Sequence, residues 1–144
     1  MDVKKRIVLI TLLIFALSLC FTAFKVEDMG EIKDYKSFQI LILGPIIFLG
    51  GAIFEFLIWT ANIWFFISII CIYNKWYKLS FIFGLIALFT AASFFSFKEV
   101  LASENGRMGQ VYSLEPGYFL WIISILFLTL GSLYFIIKSG LNRN

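Results

Sequence analysis

Apolar residues in this chain gather into four runs, Ile7–Phe24, Phe38–Tyr73, Leu79–Phe97 and Gly117–Ile137, separated by short charged segments. A helix needs about 20 residues to cross a hydrocarbon core of about 30 Å. Three of the runs approach that length. The second, at about 1.5 Å per residue, is far too long for one crossing and must break. Gly44-Pro45 and Gly50-Gly51 fall in its first half. Proline removes a helical donor and clashes with the preceding turn, and paired glycines weaken a helix. The pattern therefore predicts an all-α membrane protein with four transmembrane helices at about 7–24, 53–73, 79–97 and 117–137, in one integral membrane domain spanning 1–144. A kinked or re-entrant segment at about 38–50 lies against the outer leaflet before the second crossing.

Lys4-Lys5-Arg6 ahead of the first run gives it the look of a signal peptide. Its cleavage signals are poor, because bulky Phe21 and Leu19 stand where small residues are needed, so a retained first span is expected. Charge placement orients the four spans. The amino-terminal segment, the turn Asn74–Lys78 and the tail with Lys138 and Arg143 each carry net +2, whereas Lys25–Lys36 and Lys98–Glu115 each carry net −1. The positive-inside rule then predicts that both termini are cytoplasmic. Trp76 and Tyr77 at the inner turn, and Tyr112, Tyr118 and Trp121 at the outer boundary, fit aromatic belts at both interfaces.

Composition narrows the function classes. At 61% hydrophobic and 15% charged residues, with a mean hydropathy of +0.94, the chain lies outside the range of soluble domains. The net charge of +3 is spread out, with no basic, aromatic-interleaved surface of the kind that binds nucleic acid. Histidine is absent, which removes Ser–His–Asp catalysis and most zinc sites. No metal site and no cofactor are expected. Cys20 and Cys71 fall near the ends of successive antiparallel spans, in opposite leaflets, so a disulfide is not expected.

Glu55 is the only charge in the second run. An ionisable residue in a membrane segment is a functional-site hypothesis by default. With the crossing starting near Ile53, Glu55 sits at the outer rim, and Glu55, Trp59 and Asn62 at i, i+4 and i+7 share one helical face. That face reads either as a polar interfacial anchor or as a small outward-facing pocket that binds a ligand or carries protons. The loop Lys98–Glu115 adds Glu104, with an Asn105-Gly106 turn signal, and Glu115 before Pro116-Gly117. Tyr118 and Trp121 follow. These seven residues, Glu55, Trp59, Asn62, Glu104, Glu115, Tyr118 and Trp121, are the candidate ligand-binding or partner-binding set, and none forms a catalytic constellation. The carboxylates match no calcium loop. Small and hydroxyl residues recur at Gly117, Ser124 and Gly131, a spacing that lets membrane helices approach closely.

The segments Trp59-Thr60-Ala61-Asn62-Ile63-Trp64, Glu104-Asn105-Gly106 and Glu115-Pro116-Gly117-Tyr118-Phe119-Leu120-Trp121 resemble small uncharacterised four-span proteins of bacterial inner membranes. The resemblance implies a bacterial cytoplasmic-membrane location and no activity. In size and span count the chain also resembles bacteriocin immunity proteins. Four-span multidrug transporters are of similar size but carry a carboxylate in the first span, which this chain lacks. The expected function is non-enzymatic: binding a partner in or at the membrane, as an accessory subunit or an immunity-type protein. The partners are the lipid bilayer and a membrane protein or a second copy of the chain. The alternative is a small oligomeric transporter or pore using an outer-rim polar site around Glu55 and Asn62.

Overall fold

The computed structural model describes residues 2–103 and 106–141. Helix α1 (Val3–Ser18) leads into strands β1 (Thr22–Asp28) and β2 (Glu31–Lys36), and α2 (Ser37–Ile47) follows at once. A 3₁₀ turn, Phe48–Gly50, reverses the chain into α3 (Ile53–Trp59) and α4 (Ala61–Tyr73). Helix α5 (Tyr77–Ser93), the hairpin β3 (Glu99–Leu101) and β4 (Met108–Leu114), and α6 (Pro116–Leu141) complete the chain.

Among the described residues, three helical segments are long and apolar enough to cross a membrane: Ile53–Tyr73, Tyr77–Ser96 and Pro116–Leu141. The expected all-α fold with four transmembrane helices is therefore corrected on two counts. Helix α1 has 16 residues, about 24 Å at 1.5 Å per residue, short of a core of about 30 Å. Lys4, Lys5 and Arg6 occupy its start, and the helix stops at Ser18, where the Ser18 hydroxyl donates to the Phe15 carbonyl at 2.6 Å. The second count is a four-stranded antiparallel sheet in the order β2-β1-β4-β3. It is built from the tail of the first apolar run and the two segments expected as external loops.

Met29 and Gly30, at φ 55° and 83°, form the two-residue turn of the β1–β2 hairpin. Both central residues of a type I′ turn need positive φ, and this turn matches the twist of paired strands. The chain-distant pairing of β1 with β4 brings Phe24 opposite Leu114 and Val26 opposite Val111. Val26 is fully buried, packed where any Cβ on Gly109 would collide with it.

Helices α1, α4, α5 and α6 pack around Val8, Phe15, Phe65, Ile72, Ile125 and Leu128. Gly131 meets Ile7, and Gly117 meets the carbonyls of Phe21 and Thr22, so α1 runs antiparallel to α6 at close approach. Since lipid tails are as apolar as these side chains, packing and interhelical hydrogen bonds hold such helices together. The central bond cluster is Ser68, Ser80 and Ser132. Ser68 Oγ donates to the Ser80 carbonyl at 2.7 Å, Ser80 Oγ lies 2.8 Å from the Ser68 carbonyl, and Ser132 Oγ stands 2.7 Å from Ser80 Oγ. At one end of the helices Lys4 Nζ donates to the Tyr73 carbonyl at 3.0 Å, and the α4–α5 turn borders Ile136 and Ser139 of α6. The sheet covers the opposite end, joined to the helices through Ala23, Val26, Ile58, Phe94, Val100 and Tyr118.

Candidate binding cavity beneath the sheet

Pro45 lies inside α2 and has no N–H to give the Leu41 carbonyl four residues earlier. A buried carbonyl needs a donor from elsewhere. Trp59 supplies it: its indole Nε1 donates to the Leu41 carbonyl at 3.1 Å. Gly44 makes room for this approach, because a Cβ there would collide with the indole ring. The reversal between the two helices needs Gly51 in the left-handed region, at φ 89°. Helices α2 and α3 thus form a stapled arm folded back on itself.

A similar substitution of partners occurs at the α3–α4 junction. Ile63 N–H donates to the Thr60 carbonyl at 2.9 Å, and the Trp59 carbonyl accepts from Asn62 Nδ2 at 3.0 Å instead. Asn62 Oδ1 accepts from Trp121 Nε1 of α6 at 3.0 Å. Glu55, in the first turn of α3, accepts the N–H of Leu101 through Oε1 at 2.8 Å, which occupies the open edge of β3. Tyr118, only 2% exposed, donates its hydroxyl to the Ala91 carbonyl at 2.9 Å.

These bonds frame a cavity of about 380 Å³ between the sheet, the α2–α3 arm and the helix ends. This lies within the range of small-molecule sites, about 300–1,000 Å³. Its interior is largely apolar, with Phe15, Ile58, Phe94 and Trp121 on the walls, and Lys33, Asp34 and Gln39 are exposed on its lining. Ser37, the first residue of α2, lines it too. Its hydroxyl is buried without a hydrogen-bond partner, and the residue is 9% exposed.

Of the residues singled out by sequence, Glu55, Trp59, Asn62, Tyr118 and Trp121 all line this cavity. Glu115 lies apart from it, accepting from Ser113 Oγ at 2.6 Å and standing 3.9 Å from Lys25 Nζ. Glu104 lies outside the described residues. Sequence reasoning missed Ser37 and the sheet wall, read Gly44 only as part of a helix break, and missed an ion cluster on the sheet. There Asp28, 3% exposed, accepts from Lys33 Nζ at 2.8 Å and Arg107 Nη2 at 2.9 Å, with Arg107 Nε 2.8 Å from its other oxygen. The hydrogen bond from Lys33, joined by that from Arg107, outweighs burial and holds the Asp28 carboxyl below its ordinary pKa. The same bond raises Lys33. The two-residue turn at Met29-Gly30 between charged, alternating segments was the available signal for this hairpin.

Among the described residues no group of His, Cys, Asp and Glu is placed to hold a metal ion. Set against protein-family models, curated proteins and solved structures, the chain matches none.

Proposed function

We propose that this chain is a membrane-embedded binding protein whose site is the cavity beneath the sheet, and that it acts by holding an apolar guest there rather than by catalysis. The guest is a molecule of the membrane or an apolar segment of a membrane partner, as suits an accessory or immunity-type protein. The observation that carries this reading is the cavity itself: about 380 Å³, walled by apolar side chains, at the junction of a sheet with apolar helices. The side chains of Glu55, Asn62, Tyr118 and Trp121 on its walls are already engaged in joining α3, α4, α5, α6 and the sheet. This disfavours transport through Glu55 and Asn62, since the Asn62 amide has both its oxygen and its nitrogen committed.

In this reading the chain sits in a bacterial cytoplasmic membrane, as its resemblance implies, with the sheet outside. Lys75, Lys78 and Lys138 belong to the end opposite the sheet, and the positive-inside rule favours a cytoplasmic position for that end.

The test is photolabelling of the protein in lipid nanodiscs with a small alkyl diazirine. Labelling of the cavity walls near Ile58 and Phe94 should saturate and be competed by excess unlabelled alkane, while labelling of the outward Leu49 and Phe54 should rise in proportion to probe. Cavity labelling that never saturates contradicts the reading.

A further inference from the structure

We infer that the guest is the acyl chain of a membrane phospholipid, taken in sideways from the leaflet that faces the sheet, with its glycerol ester region at the mouth. This rests on the cavity being a binding site and names its occupant. The first observation is the outer surface of the α2–α3 arm. Phe38, Ile42 and Ile46 on α2, Leu49 at the turn, and Ile53 and Phe54 on α3 are all exposed, Leu49 at 82% and Phe54 at 68%. An apolar patch that large is normal only where lipid or a partner covers it. The segment Ser37–Gly50 is apolar but too short to cross, so it lies in one leaflet with lipid on its outer side.

The second observation is that the same helix walls the cavity. Ile40, Leu43 and Gly44 line it, and Leu43 is 53% exposed. A single helix therefore separates the cavity from the bilayer, and Leu43, both exposed and in the lining, is the residue past which a chain would enter in this inference.

The third is the mixed polarity of the lining. Lys33, Asp34 and Gln39 are exposed where they line it, while Phe15, Phe94 and Trp121 line the interior. Ser37, also in the lining, has its hydroxyl against Gly117 at the start of α6, buried and unpartnered. An unsatisfied buried hydroxyl is costly. An ester or glycerol oxygen of a phospholipid is an acceptor of the right kind for it. A water-soluble ligand would have no use for the apolar interior, and a pure hydrocarbon would leave Ser37 unpaired.

The experiment is native mass spectrometry of the protein released from nanodiscs of phosphatidylethanolamine and phosphatidylglycerol. One phospholipid per chain should persist after the remaining lipid is stripped. Ile40→Trp, which fills the cavity, should reduce that species at least tenfold, and Leu43→Trp should do so at the point of entry. Leu49→Trp, on the outer surface, should leave it unchanged. Ser37→Ala should lower retention several-fold with melting unaffected. Thermal melting identifies any variant that fails to fold, and Leu43→Trp, at an exposed position, keeps the test open if Ile40→Trp does. A broad distribution of adducts, or a single adduct indifferent to both cavity variants, overturns the inference, as does retention of added free fatty acid alone. Saturable diazirine labelling without a retained phospholipid overturns the inference and leaves the binding reading standing. Loss of both overturns both.

Discussion

Trp59 gives its indole proton to the Leu41 carbonyl at 3.1 Å, the group that Pro45 leaves without its usual helical donor. The bond ties α2 to α3, and the wall of the cavity depends on it. Trp59→Phe keeps most of the packing but strands a half-buried carbonyl, so a loss of about 1–3 kcal/mol is expected. Thermal unfolding in detergent measures the loss. Amide exchange of residues 38–50 should accelerate more than that of α5 or α6.

Gly44→Ala tests the same contact from the other side. The added methyl collides with the Trp59 ring, and overpacking of this kind costs about 1–3 kcal/mol. In a Trp59→Ala background the steric part disappears. The two losses should therefore fail to add, and a double-mutant cycle on melting data measures the coupling.

Glu55 closes the edge of β3 by accepting the Leu101 N–H at 2.8 Å. Glu55→Gln retains an acceptor oxygen and loses only the charge assistance, for an expected cost of about 1 kcal/mol. Glu55→Leu removes the acceptor and should cost about 2 kcal/mol. Equal effects of the two substitutions on denaturant or thermal unfolding would show that charge, rather than the strand-edge bond, is what Glu55 provides.

The hydroxyls of Ser68, Ser80 and Ser132 link α4, α5 and α6. Ser80 is central, so Ser80→Ala should be the most costly alanine substitution of the three, at about 1–2 kcal/mol for interhelical bonds in a membrane protein. Ser132→Ala should cost less, since Ser132 also bonds the Leu128 carbonyl within its own helix. Unfolding of reconstituted protein ranks them.

Protonation gives a prediction for the sheet. The Asp28 carboxyl is held below its ordinary 3.8, so its contribution is present above about pH 4 and is lost as pH falls through the lowered value. Lys33 is raised above its ordinary 10.5, so its contribution is complete below about pH 10 and is lost only above the raised value. The cluster should hold between these limits. Met29 Sδ lies 3.0 Å from Arg107 Nη1, so the Met29 methyl NMR signal should stay constant over that range and move below about pH 4. In Asp28→Asn the acidic movement should vanish.

Membrane character was legible because it depends on local runs of apolar residues, and the grouping of Glu55, Trp59 and Asn62 was legible because helical spacing alone sets it. The sheet was not. Its strands are short, and register shifts at Thr22/Phe24 and Lys25/Val26 disturb the two-residue period. The pairing of Phe24 with Leu114 joins positions far apart in the chain, beyond any local pattern. The dense charge of Lys25–Lys36, which suggested an external loop, instead supplies the paired ions Asp28 and Lys33. The first apolar run has the pattern of one helix because composition does not mark the change of backbone at Ser18. Ser37 carries no signal of its own, and Gly44-Pro45 signals only a break in the run, since the importance of both residues lies in what α3 and α6 bring against them.

The most direct test of the central claim is an experimental density map of the protein in a phospholipid nanodisc. The account predicts chain-like density in the cavity, running from Gln39 past Ser37 toward Phe94 and Trp121. A cavity closed by α2 packing directly on Ile58 and Phe94, with no density between them, would contradict it.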